Sequence, residues 1–152
     1  MRTVIPLAAF LVLSFSAGPL CATSPADSTP DEQRLDALEA RAEQAQPRDQ
    51  CFLYAQIVHQ MTELSIRQYA AGDFNKATGL LKQIQKFTQK IHLAMGGNDK
   101  RLKNAELLLE QTAFRLNEML QATSLDDRPL VQQTLVQVTD TKNEAMMQVF
   151  SK

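Results

Sequence analysis

Apolar side chains recur every three or four residues along four long segments of the chain, which is the spacing of an amphipathic α-helix. The segments run from about 47 to 71, 73 to 95, 98 to 123 and 128 to 150. In the first segment, the apolar face carries Cys51, Tyr54, Val58, Met61 and Ser65. Four helices with one apolar stripe each are predicted to bury those stripes against one another.

The connections between these segments are short and carry residues that end or start helices. Gly72 is a natural C-cap for the first helix, Asp73 is an N-cap for the second, and Pro129 fits the first turn of the fourth. Connections of a few residues make consecutive helices antiparallel. The predicted fold is therefore all-α, an antiparallel up-down-up-down four-helix bundle over residues 47–150.

An additional short, charged N-terminal helix is predicted ahead of the bundle, over residues 30–46. Thr29 is a candidate N-cap, Pro30 fits the first helical position, and Glu32 is placed to close a capping box. Leu35 and Leu38 lie on the narrow apolar stripe of this otherwise charged helix. That stripe is expected to pack against another surface.

Residues 1–22 have the pattern of a secretory signal peptide. Arg2 precedes an apolar run, residues 4–17, that is too short to span a bilayer, and small residues follow it. Cleavage after Ala22 would remove Cys21, although a cysteine at that position leaves lipidation as an alternative. A disordered leader, residues 23–29, would come next. The protein is expected to be secreted into the periplasm, with no membrane span after signal cleavage.

The composition of the chain argues mainly against certain classes of function. The formal net charge is −1, so there is no basic excess that would indicate binding to nucleic acid. The sequence contains no glycine-rich phosphate loop, no HExxH and no Glu-x-x-His pair. With only two histidines, the means for acid–base chemistry are sparse. We expect a protein that is not an enzyme and has no cofactor.

One group of residues supports an alternative. In a hairpin that turns at Gly72, Cys51 lies roughly level with Met95, one turn beyond His92, and these soft ligands could bind copper as Cu(I). A haem-binding bundle that uses these residues or His59 is a related alternative, but no CxxCH attachment sequence is present. Cysteine and methionine are more common as core residues, so we interpret Cys51 and Met95 as packing groups.

Large apolar residues outside the predicted core faces indicate a second contact surface. Phe52, His59 and Ile66 recur at seven-residue spacing beside the core of the first long helix, and Leu107 and Phe114 do so on the outer face of the third. Aligned pairs of this kind are typical of contact surfaces. We expect one such stripe to receive Leu35 and Leu38 of the N-terminal helix, or to bind a protein partner or a second copy of the chain.

Two stretches, QPRDQCFLYAQIVHQMTE (Gln46–Glu63) and NDKRLKNAELLLEQT (Asn98–Thr112), resemble those of uncharacterised small secreted helical proteins of Acidobacteria. The resemblance covers the bundle rather than the leader and implies no activity or ligand. The sequence as a whole favours a secreted, non-enzymatic structural or protein-interaction module. A soft-metal or haem-binding bundle is the alternative.

Overall fold

A computed structural model describes residues 29–95 and 99–151 of the chain. The predicted signal peptide, Cys21 and nearly all of the predicted leader lie outside the described residues. Within them the protein is all-helical, with five helices and no strand. The helices are α1 Pro30–Gln44, α2 Pro47–Ala70, α3 Phe74–Ala94, α4 Asp99–Ala122 and α5 Arg128–Phe150. None of the helices in the described ranges is long and apolar enough to cross a membrane.

The boundaries of the first helices follow from local hydrogen bonding. The capping box predicted at the start of α1 is present, since the Thr29 hydroxyl accepts from the Glu32 amide and the Glu32 carboxylate accepts from the Thr29 amide. At the end of α2, the Gly72 amide donates to Tyr69 and the Asp73 amide donates to the Gln68 carbonyl. This is a Schellman motif, and it requires the positive φ of 83° that Gly72 adopts. Asp73 then caps α3 directly.

The helix contacts are compatible with the predicted bundle. Helix α2 packs against α1, α3 and α4, and α5 packs against α3 and α4. Within the described ranges, no close backbone approach joins α3 to α4, although they are consecutive in the chain. The four long helices therefore form a ring of contacts in the order α2, α3, α5, α4, and α1 is added on the outside of α2.

Helix α2 is buried over most of its circumference. Besides the predicted face, Leu53, Ile57 and Leu64 are buried. Leu53 and Leu64 border clefts that α1 also lines, and Ile57 shares their side of α2 by its helical spacing. On α1, Leu35 belongs to the same buried cluster, and Leu38 packs against it. The narrow apolar stripe of α1 therefore packs within the chain. It contacts a face of α2 that the apolar periodicity did not predict to be buried.

Buried polar groups join the helices where they cross. The Ser65 hydroxyl of α2 donates to the Ala77 carbonyl of α3 at 3.0 Å. The Tyr69 hydroxyl accepts from the Ser124 amide at 2.8 Å and donates to Asp127 at 3.3 Å. Tyr69 therefore connects the end of α2 to the turn between α4 and α5. This turn and the α2–α3 turn at Gly72 thus lie at the same end of the molecule.

Two glycines make a matched test of this backbone. Gly72→Ala forces an alanine into the left-handed region, so we expect it to lower the free energy of unfolding by about 1 kcal/mol. Gly79 lies inside α3, and a Cβ there would meet nothing within 4 Å. Gly79→Ala is therefore expected to raise the free energy of unfolding by up to about 1 kcal/mol. Urea denaturation measures the free energy of unfolding of both variants. A change of the same sign in the two would contradict the assigned backbone.

Candidate interaction groove

Helices α2 and α4 are joined by a row of polar contacts. Asp49 pairs with Arg101 at 3.1 Å, His59 contacts Thr112, and Glu63 pairs with Arg115. Residue numbers rise together on the two helices, so a row of α2 from Asp49 to Glu63 faces a row of α4 from Arg101 to Arg115. These contacts lie beside the apolar core and fix the register between the two helices.

The ion pair between Glu63 and Arg115 is bidentate. Arg115 Nε lies 2.6 Å from Glu63 Oε1, and its Nη2 lies 3.0 Å from Oε2. Hydrogen bonding from Arg115 lowers the pKa of the Glu63 carboxyl, and this effect outweighs burial, which acts in the opposite direction. Arg115 also pairs with Glu118 on its own helix. The guanidinium is therefore held between two carboxylates in a fixed orientation.

The contact between His59 and Thr112 determines where the neutral histidine carries its proton. The Thr112 hydroxyl donates its only proton to the Leu108 carbonyl at 2.8 Å. Thr112 Oγ1 can therefore only accept from His59 Nδ1, which lies 3.1 Å away. Burial lowers the pKa of His59 below its ordinary value, so the ring is neutral at pH 7. Its Nε2 is then an acceptor with no partner among the described residues.

An open groove of about 560 Å³ lies on the surface beside these contacts. Its lining consists of His59, Glu63, Leu107, Glu110, Gln111, Phe114 and Arg115. Two large apolar side chains stand out of it, because 47% of Leu107 and 62% of Phe114 is exposed. The groove thus combines an exposed apolar ridge with polar groups whose positions are already fixed.

The groove brings together His59, Leu107 and Phe114 of the predicted interaction surface. The other members of that surface are placed elsewhere. Phe52 and Ile66 are partly buried against the core, and the guanidinium of Arg101 lies over the Phe52 ring at 5.4 Å. That Phe52, Ile66, Leu35 or Leu38 contacts a partner stays a prediction.

Cys51, His92 and Met95, the residues of the metal-binding alternative, are in different environments. Cys51 is 4% exposed, and burial raises the pKa of its thiol to about 11, so at neutral pH it is protonated. His92 is exposed, and its Nδ1 is hydrogen-bonded to Glu144 of α5. Met95 is partly buried against the core. Across the described ranges, no group of three or more His, Cys, Asp or Glu side chains could hold a metal ion.

Sequence reasoning missed Glu63, Thr112 and Arg115 as parts of the groove. Glu63 lies outside the predicted apolar face of α2, and Thr112 is a buried polar residue of α4. Periodicity identifies the inward face of each helix, but it does not identify which helix lies beside which. The available signal was that His59 and Glu63 lie about one helical turn apart, as do Thr112 and Arg115. Their correspondence becomes visible only once α2 and α4 are paired.

Comparison with protein-family models, with characterised proteins and with solved structures finds no match. The resemblance to secreted proteins of Acidobacteria therefore stays a prediction, and the function has to be argued from the geometry of the chain itself.

The environment of His59 predicts how it titrates. Its pKa should lie below 6.5, the ordinary value, and the neutral ring should carry its proton on Nδ1, both measurable by ¹⁵N NMR of the imidazole. The folded state binds this proton more weakly than the unfolded state, so folding is favoured while the ring is neutral. This contribution to the free energy of unfolding is fully present above the ordinary pKa and is lost as the pH falls through the folded pKa.

Urea unfolding at pH 8 and pH 5 tests that linkage. His59→Gln should show a smaller loss of stability between the two pH values than the wild type, and His92→Gln serves as the control for the other histidine. A neutral ring protonated at Nε2, or an unchanged pH dependence in His59→Gln, would contradict the assigned hydrogen bonding.

Proposed function

We propose that this protein is a secreted, non-enzymatic interaction module that binds a protein partner through the groove between α2 and α4. The scaffold we infer is an up-down-up-down four-helix bundle of α2 to α5, with α1 packed on its outside. The observation that carries the proposal is the exposure of Leu107 and Phe114 next to ordered polar groups.

Contacts between side chains support the inferred topology. Helices α2 and α3 pair in opposite directions, since Ser65 meets Ala77 near the turn and the Tyr54 ring meets Phe87 at 6.0 Å further away. Helices α2 and α4 pair in the same direction, and the α4–α5 turn is short. Consecutive helices are then antiparallel, and two of the lateral neighbours, α2 with α4 and α3 with α5, are parallel.

The chemistry of the groove favours binding. Aromatic residues and arginine are enriched at protein interfaces, and the groove has one of each, Phe114 and Arg115, with the apolar Leu107 beside them. Leu107 and Phe114 lie two turns apart on one face of α4, so a partner could contact both at once. The pair of Glu63 and Arg115 is already formed, so a partner that accepts a further hydrogen bond from it causes little reorganisation.

The residues that line the groove include no side chain placed to act as a catalytic nucleophile. His59 is the only histidine that lines it, and the nearest hydroxyl, on Thr112, is engaged with the Leu108 carbonyl. Nucleophilic catalysis needs a nucleophile within hydrogen-bonding reach of a base and a third group that orients the base. Secretion is supported by the apolar run and small residues of the N-terminal 22 residues in the sequence.

A pair of matched double variants tests the interaction. Leu107→Glu with Phe114→Glu places charge on the proposed contact, and Val136→Glu with Met147→Glu places it on α5, where these side chains are also exposed. All four positions are solvent-facing, so stability should change little. The α4 variant should bind the partner at least about 10-fold more weakly, since interface anchors of this type contribute about 2 kcal/mol or more.

The measurement has two stages. Light scattering on the purified protein reports self-association, and capture from the periplasmic fraction followed by mass spectrometry identifies any other partner, whose Kd is then measured for each variant. Equal loss of affinity in the α4 and α5 variants, or none in the α4 variant, would refute the proposed groove. A stoichiometric metal or haem in protein purified from its native compartment would favour the alternative function.

A further inference from the structure

The outer face of α4 carries a symmetric row of exposed side chains, which we call the α4 row. Its members are Lys103, Leu107, Phe114 and Glu118. They are separated by four, seven and four positions in the sequence, and all of them lie within an arc of about 60° on the helix. The row is therefore symmetric about the point between Glu110 and Gln111, with apolar groups at its centre and one charge at each end.

The two ends of the α4 row carry opposite charges, and neither charge is balanced within the chain. Lys103 is exposed and takes part in none of the ion pairs of α4 within the described ranges. At the other end, the guanidinium of Arg115 is shared by the carboxylates of Glu63 and Glu118. That group of three side chains has one negative charge in excess, and it lies beside the exposed Phe114.

A two-fold axis through the centre of the α4 row would bring complementary groups together. In a two-fold dimer the same patch is used by both copies, so that residue i of one contacts residue j of the other and the reverse. With two antiparallel α4 helices, Leu107 of each copy packs on Phe114 of the other, and Lys103 lies opposite Glu118. A parallel arrangement would instead place Lys103 opposite Lys103, which is repulsive.

We propose that the groove between α2 and α4 binds a second copy of this chain, which gives a two-fold dimer joined by antiparallel α4 helices. The inference rests on the proposed function and names its partner. Both exposed apolar groups of the groove are removed from water in this dimer. Each Lys103 also supplies the positive charge that the group around Arg115 lacks. A partner of unrelated sequence would require neither the equal spacings nor the opposite charges of the two ends.

One contact opposes association. Glu110 lies next to the centre of the α4 row, and a two-fold axis there places Glu110 of one copy beside Glu110 of the other. Like charges on neighbouring helical positions are unfavourable. This repulsion limits the affinity of the dimer, so we expect association to be reversible and to depend on protein concentration.

Charge reversal at the two ends of the row tests the alignment. Sedimentation equilibrium of the purified protein measures the Kd of the dimer. Lys103→Glu and Glu118→Lys each make two contacts of the dimer repulsive, so each variant alone should associate at least about tenfold more weakly than the wild type. An equal mixture of the two variants should associate with nearly the affinity of the wild type, because every contact between unlike variants again joins opposite charges.

Further variants serve as controls and as an independent check. Lys82→Glu makes the same change of charge at an exposed lysine of α3 and should leave the Kd unchanged. Glu110→Gln should tighten the dimer about twofold, since it removes the like-charge contact at the axis. Leu107→Glu with Phe114→Glu should abolish association. Far-UV circular dichroism checks that each variant is folded, and recovery of affinity in the mixture shows the same for both charge variants.

The outcomes separate this inference from the proposed function. A wild type that stays monomeric at millimolar concentration would overturn the dimer, as would a mixture of the charge variants that associates no better than either variant alone. If the wild type is monomeric but another protein binds it and is lost in the α4 double variant, the groove stands and only the dimer is wrong. Self-association that persists in the α4 double variant would overturn both.

Discussion

The fold depends on the covering of α2 from three sides. Buried apolar residues extend around most of this helix, so leaving any one side open would expose large apolar side chains to water. Full burial of one such side chain stabilises a protein by about 1.5–3 kcal/mol. Helix α3 covers one side through the tight turn at Gly72, and α4 and α1 cover the other two. The charged helix α1 is thus an integral part of the core, because Leu35 and its neighbours close the side occupied by Leu53, Ile57 and Leu64.

The groove to which we assign binding arises from this arrangement. Because α4 lies beside α2 in the same direction, polar side chains of both helices meet at three points between Asp49 and Glu63 and are ordered by one another. The outer face of α4 then projects Leu107 and Phe114 next to them. On the other side, α1 makes close backbone contact with α2 alone.

Local features were predictable from the sequence, whereas the choice of which helices pack side by side was not. The helices, the capping box at Thr29 and the turn at Gly72 follow from periodicity and from residues with strong backbone preferences, and the structure confirms them. Leu53, Ile57 and Leu64 were overlooked because a single apolar face was assigned to a helix that has several. The pair of Glu63 and Arg115 spans 52 positions in sequence, and no local pattern links two residues so far apart.

Amide hydrogen exchange measured residue by residue tests the central position of α2 most directly. If α2 is covered on three sides, the amides around Ile57 and Met61 should exchange only through global unfolding, with the full denaturant dependence of that transition. The amides of α1 and of the ends of α5 should exchange earlier, through local opening. Exchange of the middle of α2 at the rate of α1, or before the middle of α4 and α5, would contradict the account.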